Sequence, residues 1–195
     1  MADKWVISDT HFGHSNIIKF TKSDGSLIRP GFTRRPSGAF TSFKDIQHHD
    51  QCLIDNWNSV IKPNDKVYHL GDFGNIEVAM RLNGKKRLIL GNHDDRITLD
   101  DMNNFFEKVT VTRRFKNEFA HPVIFSHYPL HKDEASPTPR LINVHGHIHE
   151  KIIKDSSGHS DPWYINVSVE QTNCYPLHWD QLNDIVTKRV KKIEQ

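Results

Sequence analysis

Cysteine is scarce: Cys52 and Cys174 lie far apart with no CxxC spacing. That excludes a disulfide scaffold and favours a reducing compartment. The formal net charge is only +2, too slight to point to a nucleic-acid or membrane protein. Long apolar runs and a basic-then-apolar leader are also missing, so neither membrane insertion nor secretion is expected, and the cytoplasm is the simplest location. Hydrophobic residues make up 36% and charged residues 26% of 195 residues. This balance excludes a disordered chain and suits one substantial core, so a single domain over 1–195 is expected, with a loop or flap insertion at about 21–42.

Histidine is what the chain has in quantity, 14 in all. Imidazole titrates near neutrality and binds transition metals when neutral, so the positions matter more than the count. Lys4 to Ser8 reads as a strand and runs into Asp9-Thr10-His11. Val67 to Leu70 is a short strand before Gly71-Asp72, and Arg87 to Leu90 another before Gly91-Asn92-His93-Asp94. Pro122 to Ser126 ends in His127, and Leu141 to His145 in Gly146-His147-Ile148-His149. Val109 to Thr112 and Tyr164 to Val169 also read as strands, the latter with no such ending. Apolar residues at spacings of three, four and seven predict a helix over Asp45–Ile61 that breaks at Pro63, a short helix over Ile76–Leu82, and a terminal helix over Gln181–Ile193. Alternating strands and helices argue for α/β layers, whose sites are built at the carboxyl ends of strands.

Five such ends deliver Asp9, His11, Asp72, Asn92, His93, His127, His147 and His149. Oxygen donors mixed with imidazoles and no thiolate suit Mn, Fe, Zn or Ni, not a closed Cys-rich zinc site. Seven or eight donors are too many for one ion. Two divalent ions roughly 3.5–4 Å apart, sharing a carboxylate, use them economically. Two such ions against two carboxylates leave surplus positive charge, and phosphate is the anion that suits it.

Asp9-Thr10-His11, Gly71-Asp72, Gly91-Asn92-His93-Asp94, His127 within Ser-His-Tyr-Pro, and Gly146-His147-Ile148-His149 resemble the five ordered motifs of the calcineurin-like metallophosphoesterases. Asn56-Trp57-Asn58 and Tyr68-His69-Leu70 narrow the resemblance to compact bacterial and bacteriophage members. The resemblance implies a four-layer α/β/β/α sandwich. It also implies two divalent ions, manganese foremost and iron, zinc or nickel as alternatives. Asp9, His11, Asp72 and His149 would hold one ion, and Asp72, Asn92, His127 and His147 the other, with Asp72 bridging. A water between them would become the nucleophile. His93 would stabilise developing charge or protonate the leaving oxygen, with Asp94 orienting its imidazole. Protein phosphatases of the superfamily continue the second motif into Asp-Arg, where this chain has Asn75 and Ile76.

The expected activity is therefore metal-dependent hydrolysis of phosphate esters, with diesters from nucleotides or nucleic acids slightly preferred. The alternatives are a phosphomonoesterase or protein phosphatase, or a non-catalytic scaffold of the same fold. Substrate contacts are expected from His14, Asn92, Arg34 and Arg35. His14 reads equally as the cap of a helix near Ser15, and the cluster of Arg29, Arg34 and Arg35 reads either as solvated surface or as a flap gripping substrate. His48, His49 and His69 read as core-edge or surface residues.

Overall fold

The computed structural model describes residues 2–29, 42–135 and 140–194. Strands β1 (Lys4–Ile7), β2 (Lys66–His69), β3 (Lys85–Ile89) and β4 (Lys108–Thr110) lie parallel in one sheet, in the order β4-β3-β2-β1. The second sheet takes β5 (Thr112–Phe115), β6 (Val123–Ser126), β7 (Ile142–His145) and β8 (Tyr164–Asn166), parallel except for β5. A two-residue strand, β9 (Leu177–His178), pairs antiparallel with β1 and completes the first sheet. Helices α1 (Ile46–Val60), α2 (Leu99–Phe105) and α3 (Trp179–Ile193) complete the α/β sandwich expected from the strand and helix pattern.

Asp45 caps α1 by accepting from the His48 N–H, and the chain turns extended at Ile61, two residues before Pro63. Leu53, Ile54 and Trp57 bury one face of α1 against Ile7, Val67 and Leu88 of the first sheet. The other face of that sheet carries Val6, Tyr68 and Ile89. It packs on Val123, Phe125, Ile142 and Val144 of the second sheet, with Leu182 and Val186 of α3 joining the same core. Trp179, the first residue of α3, stands among the rings of Tyr68, Phe115, Phe119 and Phe125.

Four local features depart from the sequence reading. The run read as one strand at Val109–Thr112 divides at exposed Val111, with β4 in the first sheet and β5 in the second, because the chain crosses between sheets there. Helix α2 is nucleated by a reciprocal cap between Thr98 and Asp101. The expected helix at Ile76 forms as a 3-10 helix, Ile76–Arg81, whose N-cap is Asn75. No helix begins near Ser15; a turn there returns the Ile17 N–H to the His14 carbonyl.

What positions the site is the register. Ile7 pairs with His69, His69 with Leu88, and Phe125 with Val144. The parallel strands thus stop nearly level, and each motif begins one or two residues beyond its strand on the same edge of the sandwich.

Candidate metal centre

Five of the motif residues leave their strands in left-handed backbone: Asp9, His11, Asp72, His147 and His149 have φ of 59, 49, 56, 69 and 52°. For residues with a Cβ this costs about 1–3 kcal/mol each and persists only where the surroundings enforce it. The enforcement is visible. Asp9 N–H donates to the Gly71 carbonyl at 3.0 Å, His11 N–H to the Asp72 carbonyl at 3.0 Å, and Gly146 N–H to the His127 carbonyl at 3.0 Å.

The side chains converge as two groups. Asp9, His11 and His149 form one, Asp72, His127 and His147 the other, and within each group the ligand atoms lie within 4.8 Å of one another. Asp72 Oδ2 is 3.4 Å from His11 Nε2 and also 3.4 Å from His127 Nε2, so it stands between them. Its other oxygen, Oδ1, accepts the His93 N–H at 2.9 Å, which fixes the plane of the carboxylate. Asp9 is fixed by the His147 N–H at 3.0 Å and the Ser168 hydroxyl at 2.9 Å. Burial raises the pKa of Asp9. Asp72 also pays for burial, but hydrogen bonding and the His127 charge hold it well below the usual carboxylate range.

The donor set fits divalent cations. His11 Nε2 is buried without a hydrogen-bond partner, an arrangement a protein interior tolerates poorly unless something else satisfies the lone pair. Desolvation and the nearby Arg29 guanidinium keep that ring neutral, with its pKa lowered to about 2, as a ligand requires. His127 Nδ1 donates to the Leu70 carbonyl at 2.8 Å, turning Nε2 toward Asp72. Asn92 Oδ1 lies 2.9 Å from the same Nε2 and so borders the second group.

Glycines allow the close packing. A Cβ on Gly91 would meet Asp72 Oδ1 and the Asp72 N–H, and one on Gly146 would meet Ser8 Oγ and Asp9 Oδ2. Gly146→Ala should therefore lower stability by about 1–3 kcal/mol in chemical denaturation and weaken manganese binding in titration. Unchanged metal affinity would show that Asp9 can retreat without loss.

His93 lies on the open side, its ring 5.3 Å from His11 and 6.1 Å from His14. With His14, Asn75, Asn92 and Arg96 it lines a cleft of about 670 Å³. Desolvation, then the His93 charge, lowers the pKa of His14. Arg34 and Arg35 lie outside the described residues.

Two readings of individual residues are corrected. Asp94 does not orient the His93 imidazole. Its carboxylate accepts backbone N–H groups from Asp72 at 3.0 Å, Phe73 at 2.9 Å and Gly91 at 2.8 Å, and so ties the second motif to the third. Nor is Arg29 a solvated surface charge. It is 1% exposed and lies beneath the first group, joined to Glu170. His49 and His69 are likewise fully buried; burial takes the His69 pKa down to about 3.

Glu170 escaped the sequence reading. The run Tyr164–Val169 reads as a strand with no polar ligand at its end, yet the next residue is an acid whose Oε1 accepts from His149 Nδ1 at 3.0 Å. An acid directly behind a strand was the available signal.

The chain is similar to known proteins along most of its length. The chain is 30% identical over 200 residues to the uncharacterized protein MJ1445 of Methanocaldococcus jannaschii, covering 96% of this chain and 93% of that one. Gene 66 protein of Mycobacterium phage L5 is 25% identical over 185 residues, spanning 78% of this chain and 80% of its own. The solved structure of AQ665 from Aquifex aeolicus, a protein of unknown function, matches in fold with a TM-score of 0.67 at 23% identity, covering 95% of this chain and all of that one. Residues 45–171, which carry four of the five motifs, match the calcineurin-like phosphoesterase superfamily domain. With the first motif completing the set at the same sheet edge, the chain belongs to the calcineurin-like phosphoesterase superfamily.

Proposed function

We propose that this chain hydrolyses phosphate esters with two divalent ions held by Asp9, His11 and His149 and by Asp72, His127 and His147, with nucleotide- or nucleic-acid-derived phosphodiesters preferred. The observation that supports it is the position of Asp72 Oδ2, 3.4 Å from a histidine of each group. One carboxylate oxygen placed so can serve both positions. Divalent ions bound there would supply Lewis acidity toward a phosphoryl oxygen and lower the pKa of water.

The chain's own residues do the rest. Asn92, beside His127 and exposed to the cleft, can donate its amide to a phosphoryl oxygen. His93 faces the same cleft and can give a proton to a departing alkoxide. The diester preference follows from what stands at Asn75. Its side chain accepts the Glu77 N–H at 3.1 Å and caps the 3-10 helix. No acid-arginine pair occupies those two positions to bind a phosphate dianion.

Protein purified with manganese should hydrolyse bis-p-nitrophenyl phosphate faster than p-nitrophenyl phosphate. Failure to hydrolyse either ester with Mn, Fe, Ni and Zn each supplied would remove this reading.

A further inference from the structure

The ion pair beneath the first group links elements 141 residues apart and serves no purpose assigned so far. Arg29 uses all five of its N–H groups. Nε and Nη2 donate to Glu170 Oε1 at 2.9 and 2.6 Å. Nη2 also reaches the Asp9 carbonyl at 2.7 Å, and Nη1 reaches the Thr10 carbonyl at 3.1 Å and His49 Nε2 at 3.0 Å. These two carbonyls lie in the turn that holds Asp9 and His11 in left-handed backbone. His49 is anchored through Nδ1 to Asp50 Oδ1 at 2.8 Å, and Asp50 Oδ2 accepts the Gly13 N–H at 2.8 Å. The network therefore grips both sides of the first motif.

Its other end grips the last motif. Glu170 Oε1 accepts a hydrogen bond from His149 Nδ1–H, which leaves Nε2 as the nitrogen free to accept a cation. All three bonds that Glu170 accepts from Arg29 and His149 fall on Oε1, while Oε2 is buried with no partner. The Glu170 charge also offsets Arg29, whose positive charge would otherwise oppose a cation at the neighbouring histidines. No hydrogen bond among the described residues ties Arg29 or Glu170 to Asp72, His127 or His147.

We propose that Arg29 and Glu170 are a positioning pair for one of the two metal positions, that of Asp9, His11 and His149, and leave the position of Asp72, His127 and His147 independent of them. The proposal rests on the metal-binding part of the reading above and not on hydrolysis. A carboxylate behind a ligating histidine fixes its tautomer and raises its basicity, and losing one such partner weakens a site about 10–100-fold. Loss of the pair should convert a two-ion protein into a one-ion protein.

The test is titration with manganese alone, read by calorimetry and by electron paramagnetic resonance. Glu170→Gln is the informative variant, because its amide nitrogen falls where Oε2 has no partner while Oε1 keeps its three bonds. It removes the charge and keeps the shape. The wild type should bind two ions per chain and give an exchange-coupled spectrum. Glu170→Gln should keep one affinity unchanged and lose about 10–100-fold in the other, with an isolated-manganese spectrum at sub-saturating metal. Arg29→Lys, which cannot reproduce the forked contacts, should show the same split. The unchanged second affinity reports that the variants are folded.

Equal weakening of both affinities, or of neither, would overturn the pairing, and a wild type that binds fewer than two ions would overturn it together with the metal centre. If two ions bind and the split appears while no ester is hydrolysed, the pair stands and the phosphoesterase reading fails.

Discussion

Asp72→Asn should cut diester turnover by about 10³-fold or more and take bound manganese from two ions per chain to fewer. Two features make this the largest expected effect. Asp72 Oδ2 lies 3.4 Å from an imidazole nitrogen of each group, so its loss reaches both positions. Oδ1 also accepts the His93 N–H, so the same side chain sets the third motif against the second. Asn is the right replacement because Asp72 has φ of 56°, and Asn tolerates left-handed backbone better than other residues with a side chain. Its size is unchanged, so buried packing survives and the loss is that of a charge and a ligand oxygen. The variant should melt near the wild type in metal-free buffer while losing turnover. A turnover within tenfold of wild type would show that Asp72 is not shared.

The second large effect is at His93. His93→Ala should lower kcat by about 10²–10⁴-fold while manganese stoichiometry stays at the wild-type value. Its imidazole belongs to neither ligand group, and its N–H, which alanine keeps, makes the bond to Asp72. The loss should grow with the basicity of the leaving group, being smallest for p-nitrophenyl esters and largest for alkyl diesters. An alkoxide needs the proton more than a nitrophenolate does. A constant loss across leaving groups would mean that His93 stabilises charge on the phosphoryl group instead of supplying a proton. No loss at all would remove His93 from the reaction.

These predictions use residues that stood out before any fold was known, and there is a reason they did. A strand is short and its apolar pattern is local, so the end of each run could be seen, and the residue that follows a parallel strand has few places to go. Asp9, His11, Asp72, Asn92, His127, His147 and His149 all sit within five residues of a strand end, and the sandwich brings those ends to one edge. The apolar spacing of Leu53, Ile54 and Trp57 marked α1 in the same way, and all three are buried.

Burial that depends on a distant partner leaves no such local mark. Arg29 sits among Gly, Pro, Ser and Thr and reads as surface, because nothing nearby in sequence shows that Glu170 will meet it. Asp94 sits beside His93 in sequence, yet its oxygens accept the Gly91 N–H of its own turn and the Asp72 and Phe73 N–H groups of a turn built by a different strand. Val111 carries no mark of being the point at which one run passes from the first sheet to the second.

Local chemistry, then, was enough to name the donors, the strands that carry them and the class of ion they suit, since each of these follows from residues next to one another. The pairing of Asp72 with both histidine groups, the left-handed turns that aim Asp9 and His149, and the buried cation behind them were decided only when the two sheets closed. Hydrogen bonds and ion pairs act across a few ångströms of space, and they join residues as distant in the chain as Leu70 and His127, 57 positions apart, or Arg29 and Glu170, 141 apart.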